Sequence, residues 1–353
     1  MATLSAVFKL IMAFFMVLPQ IPAPVPAMIM EDSFFEKWSA EQQFTEDYAV
    51  VIEKDPDEDF VVLNFADVQL KDLEYYEGYG KAAEDMMTKL IEEQQPDLIT
   101  LSGDNAWATI AYINLVNFVD SFGIPWAPVM GNHDGQGCMN EFWCAYLFNE
   151  AENCVWKFGP EGMGYGNYII NIEENGEIIH TIFMMDTHND GTFTDENGNE
   201  VSGYDHLWKN QIEWYEWAVN GIAAIEGHVV ESSAIMHIPV YELKTTWEKF
   251  YDKENDCFTG EYAEGSFGVI HEKPCPGAVN NHFMDKVLEL GSTKNMVFGH
   301  DHVCNASFLY EGVRLSYSLK LGTGCYYEDG LMGGSTLTIN SDGEATFAHH
   351  FCA

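Results

Sequence analysis

Apolar runs recur along the chain, and between them lie stretches with helical spacing. Residues 60–66, "FVVLNFA", form a continuous β-branched and aromatic run that predicts a strand buried on both faces. From Lys81 to Gln94 apolar residues repeat at helical spacing and stop before Pro96, which predicts a helix. "PDLITLSGD" predicts a second strand ending in a Gly-Asp turn, Trp107 to Ser121 a second helix, and "IPWAPVMGNHD" a third strand running into a loop. That β-α-β-α-β order implies a parallel sheet covered by helices.

The middle of the chain changes pattern. "GYGNYIINI" and "EIIHTIFMMD" flank an Asn-Gly turn and predict a hairpin. "HLWKNQIEWYEWAV" is an amphipathic helix, and its aromatic residues read as core. "SSAIMHIPV" and "TKNMVFGHDH" each predict a strand followed by a polar loop. The tail, "VRLSYSLKLGTGCYY" and "STLTINSDGEATFAHHF", predicts strands joined by turns at Gly333-Gly334 and Asp342-Gly343. Two sheets facing each other, with helices outside, would use all of these elements. There is no fixed-period repeat and no low-complexity tract.

Composition narrows the function classes. The 353 residues carry 56 acidic against 16 basic side chains, a formal net charge of -40, and the only arginine is Arg314. Such a surface repels phosphate backbones and anionic membranes, which argues against nucleic-acid binding. The N-terminus, "MATLSAVFKLIMAFFMVLPQIPAPVPA", has one charge (Lys9), an apolar run from Leu10 to Leu18, and then a proline-rich segment. The run is shorter than the ~20 residues that span a bilayer. Residues 1–27 are therefore expected to be a secretory signal cleaved after Ala27, with a membrane anchor or an unstructured end as the alternative. Residues 28–59 are acidic and read as an exposed lead-in. Eight cysteines without a C-x-x-C fit an exported chain with disulfides. Candidate pairs are Cys257 with Cys275, and Cys138 with Cys144 or Cys154; buried thiols are the alternative.

Five loops carry candidate chemistry, each just after a predicted strand: Asp67-Val68-Gln69, Gly103-Asp104-Asn105, Gly131-Asn132-His133-Asp134, His237-Ile238-Pro239 and Gly299-His300-Asp301-His302. Ligands of open α/β sheets bind at the carboxyl ends of the strands. Each loop alone is more often a turn, a cap or a satisfied core histidine. Gly-His-Asp-His stands out, because residues i and i+2 of an extended segment face the same side. Together the loops would gather carboxylate, amide and imidazole donors suited to a pair of borderline divalent ions such as Zn, Mn, Fe, Co or Ni.

In this order the motifs resemble those of the calcineurin-like metallophosphoesterase family. The resemblance covers about residues 60–340, and "IMHIPVYE", "GHDHVCN", "QIEWYEWAV" and the tail are most similar to purple-acid-phosphatase-like members. It implies a four-layer α/β/β/α sandwich of two facing mixed sheets, with residues 60–353 as the metallophosphoesterase domain. It also implies a dinuclear centre of Fe, Mn, Zn or Co, at which a metal-bridging hydroxide hydrolyses phosphate esters. By resemblance, Asp67 and His302 hold the first metal, with Gln69 standing where histidine is usual. Asp104 bridges both, and Asn132, His237 and His300 hold the second. His133 matches the catalytic histidine, and Asp134 is expected to orient it.

The chain departs from the pattern twice. Gln69 offers only a neutral carbonyl, a weaker donor than imidazole toward zinc or iron. Trp107 occupies the position where purple enzymes place an iron-binding tyrosine, which points to a divalent pair instead of a ferric–tyrosinate centre. The expected substrate is a phosphomonoester, with a phosphodiester or nucleoside diphosphate as the alternative. A non-catalytic binding protein on the same fold is a further alternative. His188 and His271 are candidate pocket residues, though capping or surface roles are commoner. Asn305-Ala306-Ser307 matches a glycosylation acceptor. "FGPEGMGYG" lacks the Lys-Ser/Thr ending of a phosphate-cradling loop, and no G-x-S-x-G elbow is present.

Overall fold

The apolar run at residues 60–66 becomes a strand at the centre of one of two sheets. The computed structural model of the chain describes residues 33–71, 79–137 and 139–352. The expected signal at 1–27 and Cys138 lie outside the described residues. In the smaller, five-stranded sheet, β2 (Phe60–Phe65) pairs in parallel with β3 (Leu98–Ser102), and β3 with β4 (Trp126–Val129). β3 and β4 are buried along their whole length, which is why their sequences show no alternation. On the other side of β2, β15 (Gly333–Ile339) runs antiparallel, and β16 (Ala345–Phe351) completes the sheet. Helices α1 (Tyr79–Gln94) and α2 (Thr109–Asp120) connect the parallel strands. α1 buries Ala83, Met87 and Leu90 and packs on β2 and β15.

The larger sheet has seven strands. Its order is β1 (Ala49–Glu53), β5 (Tyr168–Glu174), β6 (Glu177–Met185), β9 (Glu231–Met236), β12 (Thr293–Phe298), β14 (Val313–Tyr317) and β13 (Ser307–Tyr310). The predicted hairpin is β5–β6, with Glu174 opposite Glu177. Its two loop residues, Asn175 (φ 57) and Gly176 (φ 83), are both left-handed, as a turn matching strand twist requires. Helices α4 (Lys209–Glu226), α5 (Tyr241–Phe250) and α6 (Phe283–Leu290) accompany this sheet, and α3 (Glu141–Glu150) follows β4. The main core lies here: Trp214, Tyr215, Ala218 and Ile222 of α4 meet Phe183, Phe283 and Val287, and the Phe183 and Tyr215 ring centroids are 4.8 Å apart.

Polar ties join the two sheets face to face. The Tyr168 hydroxyl donates to Pro128 O at 2.7 Å, His180 Nδ1 lies 2.8 Å from Gly343 O, and Asn295 Nδ2 donates to Ala345 O at 3.2 Å. The buried Lys54 ammonium donates to Glu174 Oε2 at 2.5 Å and to Ser341 Oγ at 3.0 Å. The layering is the expected α/β/β/α.

Four details differ from the sequence reading. Gly333 and Gly334 lie inside β15 and form no turn; they are among the residues paired with β16. The tail strands do not stay together, because β14 joins the large sheet and β15 the small one. The acidic lead-in contributes β1, buries Phe44, and caps Trp217 Nε1 with Gln42 O at 2.6 Å, so apolar and backbone contacts outweigh its charge. The seven described cysteines are all free thiols, so the Cys257–Cys275 pair is not formed. No described helix is long and apolar enough to cross a membrane.

Candidate metal centre

The motif-bearing strands of both sheets end at one place. Asp67 follows β2, Asp104 follows β3 and Asn132 follows β4; His237 follows β9, and His300 and His302 follow β12. The chain leaves these strands through left-handed backbone at Asp67 (φ 51), Gln69 (φ 47), Asp104 (φ 52) and His300 (φ 78). Such conformations cost about 1–3 kcal/mol each and cluster at functional sites. The loops also approach closely. A Cβ on Gly131 would stand 2.2 Å from Asp104 N and Oδ1, and one on Gly103 would stand 2.6 Å from His237 Nδ1. Of the nine metal-ligand and catalytic candidates in the five loops, only His133 is partly exposed.

His237 is the hub. Its Nδ1 lies 2.9 Å from Ser102 O, which accepts only, so Nδ1 carries a proton. Its Nε2 then faces Asn132 Oδ1 at 3.0 Å, Asp104 Oδ1 at 3.3 Å and His300 Nδ1 at 3.3 Å. Burial would lower the His237 pKa, but Asp104 and Asp67 overcome this and raise it. Burial and the neighbouring His237 push His300 well below the usual histidine range. So many electron-pair donors around one point call for a cation.

The second observation is an orphaned atom. Asp67 Oδ2 accepts from His300 N at 2.9 Å, but Asp67 Oδ1 is buried without a hydrogen-bond partner. Facing it at 3.4 Å is His302 Nε2. His302 Nδ1 is 3.0 Å from Tyr326 O, so Nδ1 holds the proton and Nε2 turns its lone pair toward the carboxylate. Two acceptors across that gap fit a metal ion between them. Ligand atoms of Asp67, Asp104 and His237 lie within 4.8 Å of one another. Carboxylate oxygen with imidazole nitrogen, and no thiolate, suits borderline divalent ions.

Gln69 has other partners. Its Nε2 donates to Asp104 Oδ2 at 2.8 Å, and its Oε1 accepts from the buried Lys320 ammonium at 3.0 Å. Reversing the amide would set donor against donor and acceptor against acceptor, so both neighbours fix its orientation. Lys320 Nζ also donates to Asp67 O at 2.6 Å. Lys320 belongs to none of the five motif loops. Its signal was a lysine between Leu319 and Leu321 in an apolar run, and both leucines are buried.

Asp134 does not reach the His133 ring, contrary to expectation. Asp134 accepts from Asn105 N (2.8 Å), Ala106 N (3.2 Å), Gly131 N (2.8 Å) and Asn105 Nδ2 (2.9 Å), so it braces the β3 and β4 loops. Burial and the charge of Asp104 push its pKa up to about 7. Gln136, also missed, takes the orienting place: its Oε1 is 2.7 Å from His133 Nδ1. His133 N donates to Asp104 Oδ1 at 2.9 Å, and His133 Nε2 lies 4.0 Å from Asp104 Oδ2. Trp107 packs edge-on against His133, with ring centroids 4.8 Å apart and the Lys71 ammonium 4.2 Å from its centroid.

The remaining candidates have structural partners. His188 Nε2 lies 2.8 Å from Gln211 Oε1, and its ring stacks on Trp208. His271 Nδ1 is 2.7 Å from Glu328 Oε2. Asn305 is buried and accepts from Val269 N, which removes it as a glycan acceptor.

A family model described as calcineurin-like phosphoesterase matches residues 60–304, from β2 to just past His302. The chain is 24% identical over 260 residues to "Probable inactive purple acid phosphatase 14" of Arabidopsis thaliana, covering 66% of this chain and 60% of that protein. It is 25% identical over 197 residues to "Phosphatase DCR2" of Saccharomyces cerevisiae, covering 52% of this chain and 33% of that one. The chain thus spans well under two thirds of the length of these relatives. Among solved structures, GAP50, described as the anchor in the inner membrane complex of Plasmodium, is 11% identical with a TM-score of 0.47, covering 83% of this chain and 85% of that one. The family match takes in all five motif loops and most of the sequence, and the chain belongs to the calcineurin-like phosphoesterase family.

Proposed function

We propose that the protein hydrolyses phosphate esters, phosphomonoesters first, with a pair of divalent transition-metal ions. The observation that supports this most is the bare Asp67 Oδ1 facing His302 Nε2, beside the donor cluster at His237. Asp67 and His302 would hold one ion and Asn132, His237 and His300 the other, with Asp104 shared. When bound, the ions supply an acidified water and positive charge against the phosphoryl oxygens. His133 is the partly exposed member of the set. Gln136 accepts its Nδ1 proton; in the imidazolium form Nε2 would carry a second proton, which would meet a phosphate oxygen and pass to the leaving group, leaving the Nδ1-protonated neutral ring behind.

The test is metal analysis of the purified protein, with hydrolysis of an aryl phosphate, a bis-aryl phosphate and a nucleoside diphosphate in added Mn, Zn, Co or Fe. Preference for the aryl phosphate supports the first choice, and preference for the other two the diester or diphosphate reading. Absence of both bound metal and hydrolysis would sink the proposal. A non-catalytic binding role is the second reading. Gln69 favours it, because its carbonyl is engaged by Lys320, and so do the Arabidopsis relatives named as inactive. That reading predicts one metal per chain or fewer, and no turnover. We also infer export, from the apolar run and proline-rich segment before residue 28; N-terminal sequencing of the mature protein beginning at Met1 would overturn it.

A further inference from the structure

We propose that Lys320, acting through Gln69, makes the two metal positions unequal: one ion is held tightly and the other weakly. This rests on the metal-dependent reading above and concerns residues outside the ligand set. The ammonium of Lys320 is buried beside the first position and donates to Asp67 O and Gln69 Oε1. It has two effects. It places an ammonium next to the carboxylate that a first cation would use. It also occupies the one atom of Gln69 able to coordinate and turns the amide N–H toward Asp104 Oδ2. That hydrogen bond competes for an oxygen that a bridging carboxylate would offer to metal. The first position then keeps Asp67, His302 and a share of Asp104. The second keeps Asn132, His237, His300 and Asp104 Oδ1; Asp104 Oδ1 also accepts from His133 N, so the asymmetry rests on the Lys320 ammonium, which hydrogen-bonds Asp67 O and Gln69 Oε1 and none of these second-position groups.

Lys320 is a positioning residue in this account. Its location follows from the fold. It lies just past β14 of the large sheet, yet pairs by an isolated bridge with Ala66 at the end of β2. Leu321 N donates to Ala66 O at 2.8 Å, and Gly333 N donates to Lys320 O at 3.0 Å. The lysine is thus pinned where the chain crosses from one sheet to the other, directly behind the Asp67 loop.

The experiment is titration of the metal-free protein with Co2+, followed by equilibrium dialysis and visible absorption. The wild type is expected to take up one ion at least about tenfold more tightly than the second, a gap of about 1.4 kcal/mol or more. Lys320→Met should tighten the weaker event about tenfold or more and leave the tighter one unchanged; Lys320→Arg, which keeps the charge, should retain the gap. Two equal events in the wild type, or an unchanged gap in Lys320→Met, would overturn the proposal. Should Lys320→Met fail to fold, Gln69→Leu decides: with Asp104 Oδ2 released from the amide, a weak event as tight as in the wild type or tighter supports an uncoordinated Gln69, and a loss of more than about threefold overturns it. Failure of the wild type to bind any Co2+ overturns the metal-dependent reading itself, a result distinct from two equal events.

Discussion

Two residues of the Gly-Asn-His-Asp loop carry different loads although they are adjacent. Asp134 gathers four donors from the β3 and β4 loops, while His133 is held by Gln136 alone on its Nδ1 side. The two interactions therefore fail differently. Asp134→Ala leaves buried backbone donors without partners, at about 1–3 kcal/mol each. It is expected to lower folding stability by at least ~3 kcal/mol and to weaken metal binding with it. Gln136 is exposed, so Gln136→Ala should leave the urea midpoint and metal content unchanged and lower turnover about tenfold, through loss of the His133 tautomer and orientation. Equal effects of the two substitutions on stability would contradict the division of roles. The same adjacency explains why sequence reading chose the wrong orienting group. A carboxylate next to a histidine in sequence suggested a dyad, but Asp134 turns inward onto Asn105, Ala106 and Gly131 while the imidazole faces outward to Gln136.

Strands and their ends were legible because burial writes itself into composition. β2, β3 and β4 are buried almost throughout, and their uninterrupted apolar runs gave both the strands and the loops that follow. The β5–β6 hairpin was legible from Asn175-Gly176, which only a left-handed turn accommodates well. Three things were not. β1 is short and its burial alternates within an acidic stretch, so its partner β5 decides its state. Gly333-Gly334 looks like a turn locally, yet long-range pairing with β16 makes it strand. Lys320 and Gln136 reach the site from outside the motifs, and no local pattern marks them. Lys54 is another such long-range contact. It sits just past β1 and reaches Glu174 at the end of β5 and Ser341 in the turn between β15 and β16, tying the edges of both sheets. Lys54→Met is expected to cost about 1–3 kcal/mol by leaving Glu174 unpaired, and a second change, Glu174→Leu, should recover part of that loss. Urea denaturation of the double-mutant cycle measures it; strict additivity would show that the pair does not couple the sheets.

The whole molecule must stay folded against a net charge of -40, and acid adds a second strain. His180 is fully buried between Gly343 O and Ser233 Oγ, and burial pushes its pKa from 6.5 down to about 4. A histidine depressed in the folded state contributes stability that is present above its unfolded pKa near 6.5 and lost as the pH falls through about 4. At about 1.4 kcal/mol for each pH unit between those limits, His180 removes on the order of 3 kcal/mol. His349, pushed down to about 4 by burial, acts in the same direction. Buried carboxylates such as Asp134, pushed up to about 7, take up protons in the folded state over the same range and oppose this loss, so the histidine is isolated by substitution: His180→Gln should show less loss of urea midpoint than the wild type between about pH 7 and pH 5, and an identical pH dependence in the two would remove this account. The strand order of the smaller sheet has a consequence in time. Its centre is β2, but the neighbour that closes one side of β2 is β15, which follows it only after the whole of the larger sheet has been made. Lys320, which pins the Asp67 loop, also emerges late. A chain still on the ribosome thus has its first carboxylate exposed and its last histidines unmade, and cannot assemble the full donor set. Metal uptake of the proposed kind would therefore have to follow the synthesis of His302 and Lys320 and the pairing of β15 with β2.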